Sequence, residues 1–200
     1  MPAKLQLLLK EIQTLESAVE AELHRAQEKA SFRVQEGKIS FAKDILRLHR
    51  SLKKGMFVYL FSSSFSTVLS APVIYAMIFP AFIMQIFCSF YQSICFPIYG
   101  IPKVERGDYI QFDRHKLAYL NSIEKMNCDF CAYFNGSLAF AREIASRTEQ
   151  YWCPIRHAIA IKGSHSRYNR FVEYGDAAAY HAQLDQIRKD LKRELLTAPR

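Results

Sequence analysis

Between Lys54 and Lys103 lie 48 consecutive residues with no Lys, Arg, Asp, Glu or His. Soluble helices alternate apolar with charged positions so that one face can meet water. A stretch that never does so belongs in a bilayer or in a fully enclosed core. One crossing takes about 20 residues at 1.5 Å each through roughly 30 Å of hydrocarbon. The block is too long for one span and suits two, with Pro72, Pro80 and Pro97 as breakers and Pro80 as the natural point of reversal. The sequence thus predicts an all-α protein built on a membrane-embedded helical hairpin at about 56–101. N-terminal amphipathic helices and a C-terminal helical cytoplasmic domain flank it. "SSSFST" at 62–67 makes the first arm the weaker span.

Charge divides the chain into three parts: an amphipathic arm at 1–54, the apolar hairpin at 55–102, and a polar helical domain at 103–200. The arm holds 11 Lys/Arg and 7 Asp/Glu, and the C-terminal part 16 and 12, so each is net +4. Bases are interleaved with acids, which marks a solvated face and argues against nucleic acid as partner. The tightest basic group, Arg47, Arg50, Lys53 and Lys54 with His49, directly precedes the apolar block, where it suits an anchor to anionic lipid. Lys103 and Arg106 follow the block. With two spans, both basic flanks and both termini face the cytoplasm, as the positive-inside tendency favours. No secretory signal is read at the N-terminus, and five cysteines, two within the apolar block, do not suit a secreted disulfide scaffold.

Within the arm, Leu5, Leu8, Ile12, Leu15 and Val19 keep a/d spacing on a helix from residue 3 to about 31. That stripe calls for a cover, either residues 41–50 or the same helix of a neighbouring copy. "SFRVQEGKISF" reads as a loop or a tiny hairpin about Glu36-Gly37, and a second amphipathic helix follows from about Phe41. After Pro102, "DRHKLAYLNSIEKMNCDFCAYF" and "SLAFAREIASRTEQYW" read as two helices separated at Asn135-Gly136, with Ser137 as cap. Pro154 starts a short helix, and "AAAYHAQLDQIRKDLKRELL" makes the last.

Chemistry gathers at Cys128, Cys131, Cys153 and His157: a C-x2-C pair, then a C-x3-H pair 21 residues on. Two such pairs separated by about twenty residues close tetrahedral sites for zinc. Folding back at Asn135-Gly136 would bring them together, with Glu124 or Glu149 holding the second nitrogen of His157. Cys153 at a helix N-cap would have a lowered pKa. Four readings stay open at this point: a structural zinc site, a redox-active C-x2-C, an iron–sulfur or copper centre, and ordinary small core residues. Cys88 and Cys95, seven apart, read as packing. A di-iron site needs Glu-x-x-His on facing helices, and no such motif occurs; Glu143 and Glu149 pair better with Arg142 and Arg147. Tyr91, Tyr99 and Tyr109 read as an interfacial belt. "SHSRYNRF" at 164–171 reads as a solvated loop or a basic-aromatic contact for RNA or lipid headgroups. No phosphate loop, H-E-x-x-H or G-x-S-x-G occurs, so no catalytic residue is assigned.

"APVIYAMIFP", "QSICFPIYGIPKVERGDYI", "DRHKLAYLN", "IEKMNCDFC" and "EIASRTEQYWCPIRHA" together resemble the signature of an uncharacterised family of bacterial inner-membrane proteins, over roughly residues 56–175. The resemblance implies an inner-membrane location and the same cysteines, and brings no activity with it. The function expected is a membrane-anchored accessory or assembly protein with a structural Cys3His site. The alternative is a membrane-bound thiol-redox or metal-handling protein. Expected partners are membrane lipid and a protein, or a second copy, through the N-terminal helix.

Overall fold

The computed structural model describes residues 3–28, 32–35 and 38–197, and they are mostly helical. Helix α1 (Ala3–Glu28) is followed by strands β1 (Phe32–Gln35) and β2 (Lys38–Phe41), then α2 (Lys43–Ser51), α3 (Met56–Ser62), α4 (Phe65–Ala76), α5 (Ile78–Tyr99), α6 (Ser122–Trp152) and α7 (Ala177–Thr197). The tiny hairpin is present, with Phe32 opposite Phe41 and Val34 opposite Ile39; its turn at Glu36-Gly37 lies outside the described residues. Two compact units form, Met1–Tyr59 with Asp113–Lys125 and Leu60–Phe112 with Met126–Arg200.

In the first unit the stripe of α1 has no cover among the described residues. Leu8, Ile12, Leu15, Val19 and Leu23 are all exposed; the side chain of Leu5 lies outside the described residues. His49 leaves the basic cluster, setting its ring edge-on to Phe41 at 5.2 Å and to Tyr119 at 5.0 Å. Asn121 caps α6: its Oδ1 accepts from the backbone N–H of Ile123 and Glu124, and Glu124 Oε2 accepts from Asn121 N–H at 2.9 Å. This reciprocal capping box occupies Glu124.

In the second unit the expected reversal at Pro80 is not formed. Met77 joins α4 to α5 with right-handed helical backbone (φ −64°, ψ −12°). Pro80 falls in the first turn of α5, where a missing N–H costs nothing. The polar SSS segment ends α3, and Phe65–Tyr99 then runs as 35 residues, long and apolar enough to cross a membrane. Gly100, at φ 64°, ends α5 with Ile101 N–H bonded to Phe96 O at 2.8 Å, a Schellman-type closure.

Helix α6 also corrects the sequence reading, running unbroken through Asn135-Gly136. A Cβ at 136 would lie 2.5 Å from Tyr109 O and 2.8 Å from Ile110 Cγ1. The glycine therefore serves close approach of another segment, not a turn, and the helix accepts its entropic cost. Side-chain contacts align α6 with α4–α5 in parallel: Tyr75 with Asn127 and Phe130, Gln85 with Ser137, Tyr91 with Thr148, and Tyr99 with Tyr151. Phe96, Ile101, Val104, Phe140, Ile144 and Leu191 form the core, with Cys88 packed against it. Tyr91, Tyr99 and Tyr109, each partly buried, also pack against it.

Candidate functional site

The four residues expected to share an ion sit on one continuous helix and just beyond it. Cys128 and Cys131 lie in the second and third turns of α6, whereas Cys153 follows its last residue. From Cys131 to Trp152 the helix rises about 32 Å at 1.5 Å per residue. No single ion reaches both pairs, and among the described residues no group of three or more His, Cys, Asp or Glu is disposed to hold one. The Cys128–Cys131–Cys153–His157 centre is therefore corrected. Its premise was the fold-back at Asn135-Gly136, and Gly136 does a different job.

Each residue has a local account. Cys153 continues the end of α6, its N–H bonded to Glu149 O at 2.9 Å. No helix starts at Pro154, because Ile155 bridges Val172 instead. Cys153 thus sits at a helix C-terminus, and burial, with the Glu149 charge added, pushes its thiol pKa up rather than down. The His157 ring stacks over Tyr168 at 6.1 Å. Glu149, expected behind His157, pairs instead with His165 Nε2 at 2.8 Å. Cys131 is exposed and Cys128 half-buried, three apart on α6.

The 164–171 segment turns inward. Arg167 is buried and binds Glu143 Oε2 at 2.8 Å, while Arg147 holds Glu143 Oε1 at 2.8 Å and donates to Pro102 O at 2.7 Å. Arg170 pairs with Glu194 on α7. Glu143 does pair with Arg147 as expected, but Arg142 reaches Gly163 O at 2.7 Å. These bases tie a loop and two helices together. From sequence, Arg167 gave no sign of burial, since its carboxylate partner is 24 residues away.

Among the described residues, the outer face of α4–α5 is a broad exposed apolar surface. Residues 81, 85, 92 and 96 of α5 are buried, whereas Phe79, Phe82, Ile83, Ile86, Phe87, Phe90, Ile94 and Ile98 on the opposite side are exposed. The buried face carries two glutamines. Gln92 Oε1 accepts from Val104 N–H at 2.8 Å and its Nε2 donates to Val104 O at 3.2 Å; Gln85 Oε1 accepts from Ser137. Two amides seven residues apart in an otherwise apolar run were the available signal that this helix has a protein side. No family model, curated protein or solved structure matches the chain.

Proposed function

We propose that the protein is a membrane-anchored accessory protein that holds to the bilayer through the outer face of α4–α5, with that helix lying along one leaflet. The exposed row from Phe79 to Ile98 carries the reading, since apolar surface of this extent on a soluble monomer marks an interaction site. In-plane seating follows from α6. It runs parallel to α4–α5 and bears Glu124, Lys125, Asp129, Arg142, Glu143, Arg147 and Glu149 along its length. Any register that carried α5 through the hydrocarbon would draw several of these charges in alongside it, each at about 2.5–3.5 kcal/mol on an insertion scale. Lying along the surface, α5 keeps its outer face in lipid and α6 on the wet side. It also keeps both basic flanks on one side, in accord with the positive-inside tendency and with the resemblance to bacterial inner-membrane proteins. The polar helices and the uncovered stripe of α1 then serve a protein partner or a second copy.

Flotation with vesicles tests the anchor. The full chain should rise with them, and Phe82→Ser/Ile86→Ser/Phe90→Ser should stay at the bottom while keeping its fold. A wild-type chain that stays at the bottom overturns the reading. Labelling single cysteines at 54 and 103 from one side of sealed vesicles tests the seating: both should react from the same side, and opposite sides would establish a crossing.

A second reading, thiol or metal handling, rests on Cys128 and Cys131. Residues three apart on a helix hold Cβ atoms about 5–6 Å apart, wider than the roughly 3.5–4.5 Å of a disulfide. The pair therefore suits two ligands of a soft ion, zinc or copper, completed from another chain. Metal analysis of the purified protein before and after Cys131→Ser tests it; equal metal content would remove it.

A further inference from the structure

Residues 43–54 hold five Lys/Arg against one Asp. The sequence supplies these bases, and the structure adds the apolar side chains that stand beside them. Helix α2 is fixed within its unit along one edge, where Ile45 and Leu46 are half-buried and the His49 ring meets Phe41 and Tyr119. At about 100° per residue, the outward half of the helix then divides lengthwise. Lys43, Arg47 and Arg50 line one side of it, and Leu48 and Leu52 the other, 55% and 63% exposed.

The chain leaves α2 without covering either side. Every residue from Arg50 to Val58 is exposed, so Lys53 and Lys54 are followed at once by uncovered Met56, Phe57 and Val58. Arg47 reaches Asp44 at 3.6 Å, but the two side chains are 80% and 90% exposed and such a pair is worth little. Among the described residues, Arg50, Lys53 and Lys54 enter no ion pair. An RNA or an acidic peptide would engage the bases and leave the large apolar side chains in water. A membrane surface uses both, with phosphates for the bases and the acyl boundary, about 5–10 Å deep, for the apolar groups.

We infer that residues 43–58 form a second membrane contact, selective for anionic phospholipid headgroups. Arg47, Arg50, Lys53 and Lys54 meet the phosphates, while Leu52, Met56 and Phe57 enter the boundary between headgroups and acyl chains. This rests on the membrane-anchored reading above and adds what the uncharged face of α4–α5 cannot supply, a choice of headgroup. The α4–α5 face holds the chain to any bilayer. Residues 43–58 then select among bilayers by surface charge, and salt weakens the selection by screening it.

Competition between two vesicle populations tests the contact. One population is phosphatidylcholine alone; the other adds phosphatidylglycerol and is loaded with sucrose so that it sediments. The full chain is offered both together. At low salt the wild type should favour the anionic population at least about a hundredfold, since each base near such a surface is worth about fivefold. The preference should shrink as salt rises. Lys53→Gln/Lys54→Gln should cut it at least about tenfold. Lys162→Gln/Lys189→Gln, which removes the same charge from exposed positions elsewhere, should change it less than about twofold. Equal distribution of the wild type, or equal losses from the two pairs of changes, overturns the proposal. So does an RNA oligonucleotide that displaces the chain from the anionic vesicles through the same lysines, which would make this a nucleic-acid contact. The two readings fail differently. A chain spread equally over both populations keeps the anchor and loses the second contact, whereas a chain that joins neither loses the anchor.

Discussion

Helices α1 and α6 are similar in length, 26 and 31 residues, and opposite in fate. Helix α1 has the more regular apolar spacing, yet its stripe stands exposed. Helix α6 contains the helix-breaking pair Asn135-Gly136 and is dense in charge, yet it is continuous, with Phe140 1% and Ile144 2% exposed. Periodicity tells which face of a helix would be covered. Whether a cover exists depends on segments far away in sequence, here Phe96, Ile101 and Leu191. A helix gains most of its stability from such tertiary contact, not from its own pattern.

The contrast predicts where truncation will hurt. Phe140→Ala should cost about 3–5 kcal/mol, the usual range for a filled aromatic site, read from denaturant melts in detergent. A loss under 1 kcal/mol would mean that α6 is not the centre of the second unit. Arg167→Met comes next: it leaves Glu143 with one fewer partner in a mostly buried setting, and breaking such a pair costs about 3 kcal/mol or more. Replacing Glu143 and both arginines together with apolar residues should cost less than the single change. If the single change is neutral, Arg167 is solvated and the loop is not tied down.

Gly136→Ala should have a smaller effect with an informative sign. Alanine gains about 0.5–1 kcal/mol inside a helix, while forcing a methyl against Tyr109 O and Ile110 should cost about 1–3 kcal/mol. Net destabilisation near 1 kcal/mol is expected, and stabilisation would mean that the approach is looser than 2.5 Å.

The same glycine marks the limit of what could be read ahead. The helical class, the small hairpin, the extents of α1 and α7 and the long apolar run were legible, because each is a local pattern of a few turns. Asn-Gly at 135–136 was not. Left-handed backbone at a helix end and close approach at mid-helix call for the same residue, and only the distant Tyr109–Ile110 segment distinguishes them. The metal centre failed with that choice, since its ligands needed the turn. Pro80 posed the same ambiguity between a break and a first-turn position, and Met77 resolved it toward continuity. Gln85 and Gln92 were readable as polar positions on one face, but their partners Ser137 and Val104 were not.

Cys153 gives a chemical version of the comparison, with little effect on stability. Its thiol pKa is raised by burial and by Glu149, so the folded chain holds that proton more tightly than the unfolded chain. Any stability from this is present below the ordinary thiol range and is lost as pH rises through the folded value. Alkylation of Cys153 should therefore rise with pH along a curve centred above an ordinary thiol, and Glu149→Gln should move the curve down. A curve centred below the ordinary range would restore a helix N-cap role.

The smallest effect on the isolated chain should come from α1. Ile12 and Leu15 are 49% and 61% exposed, so changing both to Asp removes no intramolecular contact that the described residues show. At high dilution the melt should move by no more than about 0.5 kcal/mol per substitution, the usual range for surface changes. A covered stripe would behave otherwise, because burying each aliphatic side chain is worth about 1.5–3 kcal/mol. At high concentration the two cases separate. If the stripe is the contact between copies, as its a/d spacing suggests, the wild type should self-associate and the Asp variant should remain monomeric, as sedimentation would record. A loss of several kcal/mol at high dilution would show that the stripe is covered within the chain. If neither the melt nor the oligomeric state changes, the stripe is not an interface between copies, and its cover is a different protein.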